Sequence, residues 1–369
     1  MMDNLPHSQK SLPYLLALHS VDGLGPVRLK KILDYFGDSK SAWEASLKEL
    51  RTLGIPQSVL ERLQQLRKSL IPEEYAERIL KSNTKVLTIF DKRYPELLKQ
   101  IYDPPIVIFY RGEILPQDNF ALGIVGTRRV TGYGKTVTAQ LSTEISQRGF
   151  TIISGLARGV DTVAHNSAIE AGGRTLAVLG GGLNKIFPPE NYKLVDKISS
   201  GFGAVLSEYP PDHPALSGNF PSRNRIIAGL SKAVLVTEAA EDSGSLITAR
   251  IALEEGREVF AVPGPITSSL SKGPAELIKE GAKLVFNTND ILDQLGLDRV
   301  KPQPKTEVKL GLGEVELLIL TCLENETMHI DEISRQLKKP VAEVSGALIR
   351  LEILGVIKGL GGGNYVKSM

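Results

Sequence analysis

The 369-residue chain is 42% hydrophobic and 23% charged, an ordinary globular composition whose length suggests two or three domains. Its net charge is only +2, so any polyanion must be bound by local clusters of cations and not by a global field. The single cysteine, Cys322, excludes a disulfide framework within the chain and a multi-cysteine metal site, and the five scattered histidines show no metal-ligand spacing. Met1-Met2-Asp3-Asn4 is not a cationic leader and no apolar run reaches membrane-spanning length, which predicts a cytoplasmic protein.

In chain order, Leu12–Ala17 opens a helix-rich segment that runs to about Lys81 and forms an expected first domain, residues 1–81. Inside it, Val21-Asp22-Gly23-Leu24-Gly25-Pro26 makes a tight turn, with Pro26 suited to the first turn of the helix that follows. Leu53-Gly54-Ile55-Pro56 reads as a degenerate second copy. The pair resembles a helix-hairpin-helix repeat. Arg28, Lys30 and Lys31 beside the first turn suit a phosphate backbone, but Asp22 and Asp34 also flank it, so a packing or protein-contact role stays open.

Residues 82–117 form a bridge of two short strands around a helix. The main domain, 82–297 with this extension, then alternates apolar strands with helices. The strands are expected at Phe120–Val125, Thr151–Ile153, Thr175–Leu179, Ala204–Ser207, Ala233–Thr237, Glu258–Val262 and Lys283–Phe286. Short, continuously apolar strands separated by helices predict an α/β, Rossmann-like, doubly wound and mostly parallel sheet. A polar, proline-punctuated linker is expected over 298–313, followed by a winged helix over 314–369. The third helix of that domain carries Arg350 as its only base against Glu343 and Glu352, so protein contact is favoured over groove reading.

The main domain places a glycine-rich turn after one strand and then after the next: Gly126-Thr127-Arg128-Arg129 and Ser154-Gly155-Leu156-Ala157-Arg158-Gly159. Backbone amides and helix N-termini at such turns suit an anion. Gly132-Tyr133-Gly134-Lys135-Thr136 imitates the end of a P-loop, but the glycine needed five residues before Gly134 is Arg129. A dinucleotide site also fails, because the second strand ends in Ser154-Gly155 and not in the carboxylate that holds a ribose. A third turn, Gly180-Gly181-Gly182, and a stretch from Asn219 to Ile227 add Phe220, Arg223, Asn224 and Arg225. Cations beside an aromatic fit single-stranded nucleic acid, whereas Phe220 in the core and arginines paired with Glu208 or Glu238 fit a structural role. Composition alone leaves these two even.

Three stretches resemble signatures of the DNA-processing protein A (DprA/Smf) family: Gly126 to Gly134, Ser154 to Asp161, and Phe220-Pro221-Ser222-Arg223-Asn224-Arg225 with the residues to Ser231. Glu238-Ala239, Ser243-Gly244-Ser245-Leu246 and Val262-Pro263-Gly264 are similar to its later motifs. The resemblance implies a single-stranded DNA-binding recombination mediator that protects incoming strands in natural transformation and loads RecA, with no chemical reaction, cofactor or metal. It implies a homodimer through the α/β domain and no membrane partner. It also gives Arg128 the main DNA contact, with Arg223 and Arg225 as further basic contacts. The expected DNA site is Gly126, Thr127, Arg128, Ser154, Gly155, Arg158, Gly181, Phe220, Arg223, Asn224, Arg225, Ser243, Gly244 and Ser245. Where some members place a lysine, this chain has Pro189, with Lys185 or Lys193 as substitutes.

Two rivals share the fold. A phosphoribohydrolase-like enzyme needs a carboxylate after its glycine-rich motif, and the corresponding position here is Ile251. A nucleotide-sensing module without catalysis is the other. Asp161 and His165, four residues apart on one helix face, imitate a catalytic pair but suit a helix-start carboxylate and a packed histidine better.

Overall fold

Apolar runs with no polar alternation can only be strands covered on both faces, and the middle of the chain builds such a sheet. The computed structural model describes residues 11–296, 313–323, 327–353 and 356–367. It divides the chain into two units, Met1–Gln303 and Pro304–Met369. In the first unit, nine strands run in the order β1-β2-β6-β5-β4-β3-β7-β8-β9. They are β1 (Lys85–Thr88), β2 (Val107–Gly112), β3 (Ala121–Val125), β4 (Thr151–Ser154), β5 (Thr175–Leu179), β6 (Gly203–Ser207), β7 (Ala233–Val236), β8 (Glu258–Ala261) and β9 (Lys283–Leu284). From β6 to β9 every pairing is parallel, with Gly123 of β3 opposite both Ile153 and Val234. β1 and β2 join antiparallel, Phe109 facing Ser207 across β2 and β6.

The chain winds from β3 outward through β4, β5 and β6, then returns past β3 to continue through β7, β8 and β9. The strand order therefore reverses between β3 and β7, where open α/β sheets bind ligands at the carboxyl ends of the strands. Crossover helices α8 (Gly132–Gln147), α9 (Val160–Glu170), α11 (Asn219–Leu230) and α12 (Gly244–Glu254) start near that rim. Two begin earlier than their apolar pattern suggests. Thr131 caps α8, its Oγ1 accepting Gly134 N–H at 3.1 Å. In α11, Pro221 sits in the first turn, where its missing N–H costs nothing. The last strand is shorter than expected, two residues at the sheet edge.

Six N-terminal helices, α1 (Leu12–His19) to α6 (Pro72–Lys81), precede the sheet. Gly23 and Gly54 take the same left-handed backbone, φ 84° and 77°, at the two turns read as repeats. These helices have no separate core. Leu16, Leu29, Leu50 and Leu60 belong to one apolar cluster with Phe109 and Val205 of the sheet. His19 Nε2 also meets the Glu208 carbonyl at 2.6 Å. Packing therefore continues across the expected boundary at residue 81.

In the second unit, α15 (Glu314–Cys322), α16 (Ile330–Leu337) and α17 (Val341–Ile353) surround Ile333, Leu348 and Leu351. A three-stranded sheet closes them, β10 (Met328–His329), β12 (Asn364–Lys367) and β11 (Ile357–Gly361) in that order, as in a winged helix. The expected linker lies outside the described residues except for Gly313, which precedes α15. Among the described residues no helix is long and apolar enough to cross a membrane.

Candidate nucleic-acid interface

A cavity of about 520 Å3 opens where the strand order reverses. The turn after β3 forms one wall and the turn after β7, entering α12, forms the other. Gly126 is required at the first turn, because a Cβ there would lie 2.8 Å from the Glu238 carbonyl oxygen. Glu238 fixes this turn. Its carbonyl accepts Thr127 N–H at 2.6 Å, and its carboxylate accepts the Thr131 hydroxyl at 2.6 Å and Thr131 N–H at 3.0 Å. Thr127 is buried, while Arg128 and Arg129 project outward. The Arg128 guanidinium lies 5.5 Å from the Phe220 ring centroid and pairs with no carboxylate among the described residues.

The opposite wall is Ser243-Gly244-Ser245 at the start of α12. Ser243 and Ser245 share a hydroxyl hydrogen bond of 2.7 Å. Asn224 Nδ2 donates toward the Gly244 carbonyl at 3.4 Å, tying α11 to this turn. Gly126, Thr127, Arg128, Phe220, Asn224, Ser243, Gly244 and Ser245 thus come together around one cavity. Arg223 reaches it only from below.

The structure corrects the role expected of several others. The amides of the second turn do not await an anion, because Asp161, buried in the first turn of α9, accepts Gly155 N–H at 3.1 Å and Ala157 N–H at 3.2 Å. Ser154 is fully buried, its hydroxyl donating to the Ile124 carbonyl at 2.6 Å. Gly155 is small because the Arg223 guanidinium lies directly over it. Arg223 is 5% exposed and donates to the Gly155 carbonyl at 2.6 Å and to the Val178 carbonyl, lacing β4 to β5. Burial lowers its guanidinium to about 10 although the Asp161 carboxylate raises it, so it stays charged at neutral pH. Arg225 is also buried, bidentate on Glu208 at 2.6 Å and 3.1 Å from Asp103. Arg225 therefore has the structural role, its charge spent on Glu208 and Asp103. Gly181 is buried beneath the 209–215 loop, where a Cβ would meet Ala215 at 2.9 Å.

Arg158 is exposed but engaged by Glu190, and this contact raises the guanidinium and lowers the carboxylate. Beside it a small cleft of about 40 Å3 joins Arg128 and Phe220 to Phe187, whose ring is 6.0 Å from that of Phe220. Phe187 escaped sequence reading, although an exposed aromatic before Pro188-Pro189 was visible there. Arg129 and Asp242 also line the large cavity and were not assigned to it. His165 is no partner for Asp161. Its Nδ1 lies 2.6 Å from the Thr175 hydroxyl, which itself donates to the Ile152 carbonyl, so Nδ1 carries the proton. Burial holds the imidazole down at about 3.

The family model described as DNA recombination-mediator protein A matches residues 85–296, and a DprA winged helix domain model matches residues 303–363. Protein Smf of Synechocystis is 37% identical, with 93% of this chain and 96% of the relative covered. Protein Smf of Escherichia coli is 38% identical, covering 92% and 94%. The solved structure of DNA processing protein A from Streptococcus pneumoniae is similar with a TM-score of 0.68 and 37% identity, over 76% of this chain and 97% of that one. DNA processing protein A from Helicobacter pylori, described with a single-stranded DNA binding mode, matches with a TM-score of 0.52 and 31% identity, over 58% and 96%.

Proposed function

We propose that this chain, which belongs to the DNA recombination-mediator protein A (DprA/Smf) family, holds single-stranded DNA in the crevice between β3 and β7. One observation carries the reading: an unpaired, exposed Arg128 guanidinium set against Phe220 at the mouth of the cavity. A cation beside a π-face suits a strand whose phosphates and unstacked bases are both accessible. Arg128 and Arg129 take phosphate, and Phe220 with Phe187 offers base-stacking faces. Gly126, Thr127, Asn224 and Ser243-Gly244-Ser245 line the strand, and Arg158 joins once Glu190 gives way. Ser154, Gly155, Gly181, Arg223 and Arg225 keep these walls in place from beneath.

The reading is of a binder and not a hydrolase. Asp161, which lines the cavity, and Glu238, which holds its first turn, are spent on backbone N–H groups and on Thr131, which supports it. By the family's name the bound strand is one awaiting recombination. The chain then protects incoming DNA in the cytoplasm during natural transformation and hands it to RecA, acting as a homodimer. Fluorescence anisotropy with a labelled oligothymidylate across salt tests the first step. Tight binding that weakens steeply with salt and tolerates sequence change is expected, and absent or salt-independent binding overturns it. RecA filament growth on strands precoated with single-strand binding protein tests the second. No acceleration by this chain would remove the mediator role while leaving DNA binding intact.

A further inference from the structure

A second groove, of about 310 Å3, lies between α2 (Pro26–Phe36) and the loop that leads into β2. Its size is within the range of small-ligand clefts, roughly 300–1,000 Å3. Lys30 and Lys31 form one side, and Tyr102, Asp103 and Pro104 the other. The Tyr102 side chain is 87% exposed, yet its backbone is fixed, the N–H donating to both Glu255 carboxylate oxygens at 3.2 Å. A large aromatic held in water on an anchored backbone has a face to offer, and only its two side-chain torsions remain to be ordered.

The charges around it differ in how far they are engaged. Arg28 and Arg62 are used by the first hairpin turn, donating to the Gly23 and Asp22 carbonyls at 2.8 Å each. Asp103 lies 3.1 Å from Arg225, a cation it shares with Glu208. Lys30 and Lys31 have no carboxylate partner among the described residues, and Asp34 is the one acid of the groove without a partner. Two lysines and an exposed phenol ring line one groove, the same classes of side chain, cation and aromatic, that meet at the crevice.

Helix α11 links the two places. It carries Phe220 into the crevice, and five residues later, about 7.5 Å along the axis, Arg225 reaches Asp103 of the groove. We propose that this groove is a second contact for the same single strand, with Lys30 and Lys31 on phosphates and Tyr102 stacked on a base. The proposal rests on the crevice reading and extends it. The strand that leaves the crevice continues onto the N-terminal helices.

Oligothymidylates of about 6 and about 30 nucleotides, bound to the full chain over a salt series, test it. Changing Lys30→Gln, Lys31→Gln and Tyr102→Ala together is expected to weaken the long strand about tenfold and leave the short one unchanged. The long strand's salt slope should fall by about 1.4, at ~0.7 per lost phosphate contact on single strands. Tyr102→Ala alone should weaken the long strand severalfold without changing that slope. A triple variant that binds both lengths like the parent overturns the groove, as does equal weakening of both. A parent that fails to bind the short strand overturns the crevice reading instead.

Discussion

The Arg128 guanidinium stands 5.5 Å from the centre of the Phe220 ring, and the two residues come from turns 92 positions apart that the sheet brings to one rim. Arg128 is exposed and makes no ion pair among the described residues, so within the fold its removal takes away little beyond its contact with the Phe220 ring. Arg128→Ala should weaken single-stranded DNA about 10- to 100-fold, the size of one charge-assisted contact of ~1.5–3 kcal/mol. Its salt slope should drop by ~0.7. The melting temperature should stay within about 2 °C of the parent, as read by calorimetry. Loss of fold together with affinity would show that Arg128 is structural.

Arg223 should behave in the opposite way. It is buried over Gly155, donates to carbonyls of β4 and β5, and faces the buried Asp161. Arg223→Met leaves Asp161 without its cation and two carbonyls without their donor, at a cost of about 3–5 kcal/mol. Chemical denaturation should report that loss. At a temperature where the variant is folded, its DNA affinity should fall less than that of Arg128→Ala. A stable variant that binds weakly would restore Arg223 as a direct contact.

These two arginines also mark what the sequence could and could not convey. Strand runs such as Ala121–Val125 and Thr175–Leu179 are apolar throughout, and burial on both faces follows from that pattern alone. The turn glycines were legible locally as well, whereas Arg128 was singled out through the family resemblance and its place beside Phe220 appears only in the fold. Arg223 and Arg225 carry the same charge as Arg128 within a helix start, but tertiary partners decide their roles. Asp103, Glu208 and the Val178 carbonyl are distant in sequence, and no local spacing announces them. Asp161 was read as a helix-start acid. Its capture of the Gly155 and Ala157 amides depends on the loop folding back, which turned an expected anion nest into a closed turn.

Glu190 occupies Arg158 at the edge of the small cleft beside Phe187. A DNA phosphate has to displace this carboxylate before Arg158 can contribute. Glu190→Gln removes the competitor and one negative charge, so affinity should rise two- to fivefold at low salt, with the gain fading as salt screens it. Both side chains are about half exposed, and the melting temperature should not change measurably. Anisotropy titrations at two ionic strengths give the answer. Unchanged affinity at low salt would place Arg158 outside the strand's path.

His165 gives the fold a pH dependence. Its imidazole is buried and neutral, at about 3 against an ordinary 6.5, chiefly through burial and then through the charge of Arg223. The unfolded chain therefore takes up the proton first. Stability from this group is complete above pH 6.5 and is lost as pH falls from there toward 3. At pH 4.5 the loss should be about 2–3 kcal/mol. Asp161, raised by burial, works in the opposite sense, and His19 in the same sense. The comparison is therefore between the parent and His165→Asn, by urea unfolding at pH 7 and 4.5. The parent should lose more stability than the variant between those values; equal losses would show that His165 does not titrate on unfolding.

The proposed homodimer can be tested at the open edge of the sheet. Among the described residues β9 pairs only with β8, Lys283 opposite Phe260, and its outer backbone groups have no strand partner there. Around it Leu284 is 37% exposed, Phe286 76%, and Ile266 fully exposed. Exposed apolar side chains beside an unpaired edge are what a second copy can cover, and a self-complementary patch closes after two subunits. Leu284→Glu with Phe286→Glu puts two charges into that contact. Light scattering at about 50 μM should find the parent dimeric and the variant monomeric. A strand long enough to span two crevices should bind the variant at least tenfold less tightly, because the second contact loses its high local concentration. A strand of about 6 nucleotides should bind both alike. A variant that remains dimeric would move the interface to another surface of the α/β unit.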